Sequence, residues 1–280
     1  GLGANLIQPV SWVLDRSGIY YDATTPSDLE TFLANHAFSA AERQRAAAFR
    51  QDLLAAGLTK YNLQAEPWRR PQQAQGRIVR LVVGQVPRDA SLRFGVPEEA
   101  EVRSNAQLLE AVRHNFPNDY ILYKPHPDVV AGLRHGGPDE SLCAASADAV
   151  LCHGDMAQLL TAVDQVHVLT SLTGFEALLR EVPVQVYGLP FYAGWGLSDD
   201  MLHCPRRGRS LQLDELVYGA LIHYPSYLCQ RSGGLIAPEQ ALLQLLALKQ
   251  KGPPQLSLKQ KLHSRWRPML ETLEAWWRRQ

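Results

Sequence analysis

The chain has 280 residues, 46% hydrophobic and 20% charged, enough for two lobes or one large α/β unit with a sizeable core. Its 28 basic and 28 acidic residues cancel, which excludes a nucleic-acid binder working through bulk positive charge but leaves local patches open. Four cysteines without a CxxC pair exclude a disulfide scaffold and fit a reducing cytoplasm, and no apolar run reaches the roughly 18 residues of a membrane helix.

Residues 1–25 read as strand and turn, with aromatic and β-branched residues around Gly18. The chain opens on "GLGANLIQPV" without a methionine and reads as a piece of a longer protein. In "TPSDLETFLANH", Ser27 is placed to cap a helix, Glu30 stands as its capping-box partner, and Leu29, Phe32 and Leu33 form the apolar stripe. A second helix is predicted over Ala40–Ala56, and the proline-containing segment 65–77 reads as a linker. The texture then changes. "RIVRLVVGQ" (77–85) is a buried-strand run that leads into a polar loop, "QVPRDASLRFG". A helix at 103–114 follows, then the strands "YILYK", "ADAVLCHG", "QVHVLTS" and "PVQVYG", with helical patterns at 156–163 and 174–181 between the later ones. Short apolar strands alternating with helices predict an α/β fold, a parallel sheet covered on both faces. Helical blocks at 213–222 and 237–249 and a helical tail at 256–280 complete the chain. The predicted divisions are residues 1–70, 71–255 and 256–280.

Ligands of such sheets bind beyond the C-terminal strand ends. In "LYKPHPDVV" (122–130) two prolines hold Lys124 and His126 out of helix at a strand end. A lysine supplies a point charge for phosphate, and a histidine can donate to an oxygen that gains charge on a leaving group. "LTSLTGFEALLR" (169–180) brings Thr170, Ser171 and Thr173 to the start of a helix that bears Glu176. This suits either an anion site or simple N-capping. Gly84 and Gln85 close the first strand of the sheet. "GLPFYAGWGLSDD" (188–200), with Trp195 at its centre, suits either an aromatic ligand wall or a packed loop. A zinc site from Cys152, His153, His203 and Cys204 matches no finger spacing, so no metal and no cofactor are assigned. Trp266, Leu270, Leu273 and Trp277 give the tail an apolar stripe, for packing or for a membrane surface.

The motifs "DRSGIYYDATTPSDLE" (15–30), "VVGQVPRDAS" (82–91), "YKPHPDV" (123–129), "LTSLTGFEALL" (169–179) and "PFYAGWGLSDD" (190–200) stand in the order found in one family. The chain resembles the bacterial capsule polysaccharide synthesis family, and within it the KpsC-type retaining β-Kdo transferases. That resemblance implies a Rossmann-like parallel-sheet lobe of a GT-B-like glycosyltransferase, with a partial N-terminal lobe and C-terminal helices. It implies a CMP-β-Kdo donor, a lipid-linked Kdo acceptor on a phosphatidylglycerol-type lipid, other capsule-assembly partners and a cytoplasmic site, with possible contact at the inner membrane. The family's HP motif falls on His126 and Pro127 and its Ser/Thr motif on Thr170, Ser171 and Thr173, which implies contact with the CMP phosphate. Glu176 would reach the ribose, while Gly84, Gln85, Asp89 and Trp195 would line the donor pocket. Two departures stand out. Arg88 replaces an acid in the "VPRDAS" loop, leaving Asp89, and the family's acidic motif falls upstream of Gly1, so the catalytic acid is expected outside this chain. The alternatives are a UDP-sugar transferase or epimerase, and a nucleotide-sugar-binding module without turnover.

Overall fold

The computed structural model describes residues 9–57, 68–130, 132 and 140–250. The predicted tail helices and its apolar stripe lie outside them. Contacts divide the described chain into two units, 9–14 with 221–250, and 15–220. These limits differ from those drawn at 70 and 255.

The smaller unit holds an antiparallel three-stranded sheet. Its first strand, β1 (Ser11–Trp12), is the one short strand among described residues 9–25, the rest of which are turn and irregular chain. The larger unit begins with α1 (Asp28–Asn35). Ser27 caps it, its hydroxyl accepting from the Glu30 N–H at 3.0 Å. The reciprocal half of the predicted capping box is missing, because the Glu30 carboxylate pairs with Arg206 and Arg207 instead. α2 (Ala40–Ala55) carries a complete box, Ser39 with Glu42.

The sheet is then laid down as β2 (Val79–Val83), α3 (Ala90–Gly95), α4 (Asn105–Asn115), β3 (Tyr120–Lys124), α5 (Pro127–Val130), α6 (Glu140–Ser146), β4 (Ala149–Val150), α7 (Met156–Leu160), β5 (Gln165–Val168), α8 (Leu172–Leu178), β6 (Val184–Val186) and β7 (Asp199–Asp200). All six strands are parallel, in the order β4-β3-β2-β5-β6-β7. Counted within the sheet this is 3-2-1-4-5-6, the doubly wound dinucleotide-binding order, whose switch point falls between β2 and β5. The steps β2→β3 and β5→β6 run in opposite directions, so right-handed crossovers put α4 and α8 on opposite faces. Strand alternation turns Val82, Ile121 and Tyr123 toward the cluster that holds Leu108, Leu109 and Val112 of α4. The polar loop predicted after β2 contains α3, capped by Asp89.

The unit ends in α9 (Leu213–Val217), against which α2 packs, and passes into a π-helical segment, Tyr218–His223. The smaller unit resumes with β8 (Ser226–Leu228), β9 (Leu235–Ile236) and α10 (Pro238–Gln250), and β8 pairs with both β1 and β9.

Candidate functional site

The ends of β2, β3 and β5 carry most of the residues singled out from the sequence. The fold uses them in two ways.

One set holds the framework together. Gln85 is bonded on every side. Its backbone N–H and carbonyl pair with the Asn105 amide at 3.0 and 2.9 Å. Its side-chain carbonyl accepts from the Thr170 N–H at 2.8 Å, and its amide donates to the Thr170 hydroxyl at 3.0 Å. Thr170 in turn donates to the Ser91 hydroxyl at 3.1 Å, and Ser91 donates its N–H and O–H to Asp89, both at 3.0 Å. Gln85, Thr170 and Asp89 form a clasp across the switch point, because the neighbouring ends of β2 and β5 bring a side-chain amide opposite a backbone amide and a hydroxyl. Gly84 is likewise structural. A Cβ there would stand 2.5 Å from the Tyr123 hydroxyl, so its absence makes room for a core ring.

The loop around Trp195 is packed. Trp195 and Tyr192 are both fully buried, and the Trp195 indole donates to the Phe191 carbonyl at 2.8 Å. Arg207 threads the loop, donating to the Pro190 and Ala193 carbonyls. Its guanidinium is neutralised by buried Glu30 at 2.8 Å. Gly194 and Gly196, both at positive φ, line a cavity of about 450 Å³ with Asp200, His203 and Arg209. Burial raises the Asp200 carboxyl above its usual range, against hydrogen bonds from Ser198 and the Gly194 N–H that lower it.

The second set lies at the end of β3 and the start of α8. Lys124 ends β3 and is 3% exposed. Its ammonium has no hydrogen-bond partner among the described residues, and burial pushes its pKa down. His126 lies just beyond, partly exposed. Pro127 takes the first position of α5, where its missing N–H costs nothing, and the His126 carbonyl accepts from Val129 at 2.9 Å. The imidazole Nδ1 accepts from the Asp128 N–H at 3.1 Å. In the neutral ring the proton therefore sits on Nε2, which makes that nitrogen a donor. As the sequence predicted, Lys124 and His126 stand outside helix at a strand end, and the helical turn that Pro127 starts was not foreseen.

Ser171 caps α8, its hydroxyl accepting from the Thr173 N–H at 3.2 Å. The capping reading of this motif is realised, while Thr173 is buried in the same turn. The Ser171 carbonyl accepts from the Tyr192 hydroxyl at 2.5 Å, and a Cβ on Gly174 would collide with that hydroxyl. Glu176 is partly exposed on α8, and its charge, with that of Asp155, favours the cationic form of Arg180 against burial. Tyr192, Asn105 and Ser91 were not singled out from the sequence. A glycine in the first turn of α8 was the one available sign that something approaches closely there.

Among the described residues, no group of three or more His, Cys, Asp or Glu side chains is placed to hold a metal ion. No helix among them is long and apolar enough to cross a membrane.

A doubly wound parallel sheet with helices on both faces, and a lysine, a histidine and a capped helix at its strand ends, defines a Rossmann-like α/β protein. The family profile described as "Capsule polysaccharide biosynthesis protein" matches residues 5–65 and 53–233. The chain belongs to that family. It is 44% identical over 249 residues to the capsule polysaccharide modification protein LipA of Neisseria meningitidis serogroup B, covering 89% of this chain and 35% of LipA. It is 39% identical over 257 residues to the lipopolysaccharide-processing protein LpsZ of Rhizobium meliloti, covering 91% of this chain and 57% of LpsZ. The chain thus spans about a third to a little over half of these relatives. Among solved structures it is similar to KpsC of Thermosulfurimonas dismutans. The β-Kdo 2,7 transferase matches at 40% identity with a TM-score of 0.73, over 86% of this chain and 73% of that one. The β-Kdo 2,4 transferase matches at 30% identity with a TM-score of 0.76, over 85% and 73%.

Proposed function

We propose that this chain binds the donor of a Kdo transferase, taking Kdo from CMP-β-Kdo toward a lipid-linked Kdo acceptor in capsule polysaccharide assembly. The observation that carries the reading is the 40% identity, over 86% of the chain, to a β-Kdo transferase whose fold it shares. The Lys124–His126 pair at the end of β3 supports it chemically.

In the proposed reaction the bond from the sugar's anomeric carbon to the phosphate oxygen breaks, and its electron pair stays on CMP. A bond from that carbon to an acceptor hydroxyl oxygen forms, and the hydroxyl proton passes to a base. His126 Nε2–H would meet the charge that develops on the departing phosphate. Ser171 and Thr173 would hold the same phosphate, and Glu176 the ribose. A lipid-linked acceptor brings the reaction to the inner membrane surface. Contact with that membrane and with other capsule-assembly proteins belongs to the same proposal.

The test is ligand-detected NMR with CMP and UDP on the purified chain. The reading expects CMP to bind and UDP to bind more weakly. Preferential UDP binding would move the chain to a different sugar-nucleotide class.

A further inference from the structure

The motif at 15–30 contains "GIYYDAT", and none of the roles assigned above uses its two tyrosines. The Asp22 N–H donates to the Ile19 carbonyl at 2.9 Å, which closes a β-turn with Tyr20 and Tyr21 at its two corners. Such corners usually go to Gly, Pro, Asn, Asp or Ser, which help the chain to turn. Two large rings give no such help. Nor are they spent on the core, since Tyr20 is 38% exposed and Tyr21 37%.

The chain is fixed on both sides of this turn. Before it, the Asp15 carboxylate accepts from the Ser17, Gly18 and Asp28 N–H groups, and the Asp28 carboxylate accepts from the Arg16 N–H and the Ser17 hydroxyl. A Cβ on Gly18 would stand 2.8 Å from the Pro26 carbonyl oxygen, so the two arms of the loop touch. After the turn, the Ala23 N–H donates to the Phe94 carbonyl of α3 at 3.2 Å, and the Ala23 carbonyl accepts from Arg206 at 2.7 Å. The rings are ordered too. Tyr20 and Tyr21 meet edge to face, with centroids 5.5 Å apart and planes at 84°. Tyr20 lies edge to face on Phe191 at 5.8 Å, and Phe191 on Phe175 of α8 at 5.1 Å. Phe191 and Phe175 thus connect the exposed pair to the helix whose first turn carries Thr173.

We propose that Tyr20 and Tyr21 form a stacking platform for a pyranose ring of the acceptor saccharide. The assignment to the acceptor rests on the donor-site reading above and extends it to a part of the chain that reading leaves idle. A pyranose has a C–H face, which packs on an aromatic ring, and a rim of hydroxyls, which pairs with phenol O–H groups. Tyrosine offers both an apolar body and a polar tip. With two χ angles it does so at a low ordering cost, and a turn already fixed at both ends lowers that cost further. The openness of the rings favours a saccharide over a nucleobase. A small-molecule pocket buries most of its ligand, whereas more than a third of each tyrosine stays open to solvent. A shallow platform suits the end of a longer chain, one unit of which stacks while the rest leads away.

The experiment is an NMR titration of the purified chain with a soluble methyl glycoside of a Kdo disaccharide and, separately, with CMP. In wild type, saturation transfer should concentrate on the ring C–H protons of one sugar face. Tyr20→Ala with Tyr21→Ala should weaken the disaccharide about tenfold or more, as loss of an aromatic anchor does, with CMP affinity unchanged within about twofold. Tyr20→Phe with Tyr21→Phe keeps the ring faces and should hold the disaccharide within about threefold of wild type. Equal disaccharide affinity in wild type and the alanine variant, with CMP bound by both, overturns the platform alone. So does a wild type that binds CMP but no disaccharide. A fall in CMP affinity as large as that for the disaccharide would assign the rings to the base, overturning the proposal and leaving the donor reading intact. A wild type that binds no CMP overturns the donor reading, and the acceptor assignment with it. Tyr21→Ala alone spares the contact between Tyr20 and Phe191 and stands in if the double variant does not melt cooperatively. It should weaken the disaccharide about threefold or more, and an unchanged affinity there overturns the proposal.

Discussion

Tyr192 sends its hydroxyl to the Ser171 carbonyl through the space that a side chain on Gly174 would fill. The tie joins the first turn of α8 to the packed loop 190–196, so two motifs distant in sequence become one structural unit. Gly174→Ala should push Tyr192 aside and cost about 2–3 kcal/mol by overpacking and loss of a buried hydrogen bond. Tyr192→Ala removes both the hydroxyl and the ring carbons that a Cβ on residue 174 would meet. In a double-mutant cycle by urea denaturation, the pair should therefore lose clearly less than the sum of the single changes. Additive losses would show that the contact is not what requires glycine.

His126→Ala should weaken CMP binding by about one to two decades, the loss of one hydrogen bond to a charged group. Calorimetry measures it directly. Unchanged affinity would remove His126 from the phosphate and leave it as the residue that starts α5.

Ser171→Ala with Thr173→Ala separates phosphate from base. The double variant should lose CMP affinity while cytidine binding stays within about twofold. Loss of the Ser171 cap should also lower stability by about 1 kcal/mol. If CMP and cytidine weaken together, the turn supports the pocket rather than the phosphate.

Glu30 is 6% exposed and bonds Arg206 at 2.6 Å and Arg207 at 2.8 Å. Glu30→Ala should cost about 3–5 kcal/mol, because it leaves Arg207 buried with its charge uncompensated. Chemical denaturation checks the magnitude. A loss under about 1 kcal/mol would mean that solvent reaches Arg207.

His167 in β5 is fully buried beside Arg80, which approaches its Nε2 at 3.4 Å. Nδ1 has no hydrogen-bond partner among the described residues. Burial, aided by the Arg80 charge, holds its pKa down to about 3 from an ordinary 6.5. Between those values the unfolded chain binds a proton that the folded chain refuses. This contribution to stability is complete above pH 6.5 and falls with acid, by about 1.4 kcal/mol at pH 5.5. His167→Leu should flatten the stability profile between pH 7 and pH 5. A variant whose profile still parallels that of wild type would place the acid sensitivity elsewhere.

The sheet was legible where apolar runs were long. "RIVRLVV" and "YILYK" announce β2 and β3 because both strands are buried along their whole length. β7 was not legible, since its two residues are Asp199 and Asp200 and nothing in that pair suggests a strand. α3 hid inside a polar loop because its cap, Asp89, resembles an ordinary turn acid. At the site, the placing of Lys124 and His126 at a strand end could be read because prolines act locally. The structural roles of Gln85 and Gly84 could not, because they are set by partners far along the chain, Thr170 and Tyr123. A glycine or an amide at a strand end looks the same in sequence whether it waits for a ligand or for a tyrosine.

The bonds between Gln85 and Thr170 bear on motion as well as on structure. They fasten together the two strands at which a doubly wound sheet changes direction, where a crevice would most readily widen. With donor and acceptor both engaged on each side, a slide of one half of the sheet past the other must break two bonds at once. The sheet therefore moves as a single plate. Any adjustment to an arriving ligand falls on what surrounds it: the 151–154 turn beside Lys124, the short α5 and the first turn of α8. Backbone amides of β2 and β5 should then exchange with solvent at the slowest rates in the larger unit, and those of the 151–154 turn at faster ones.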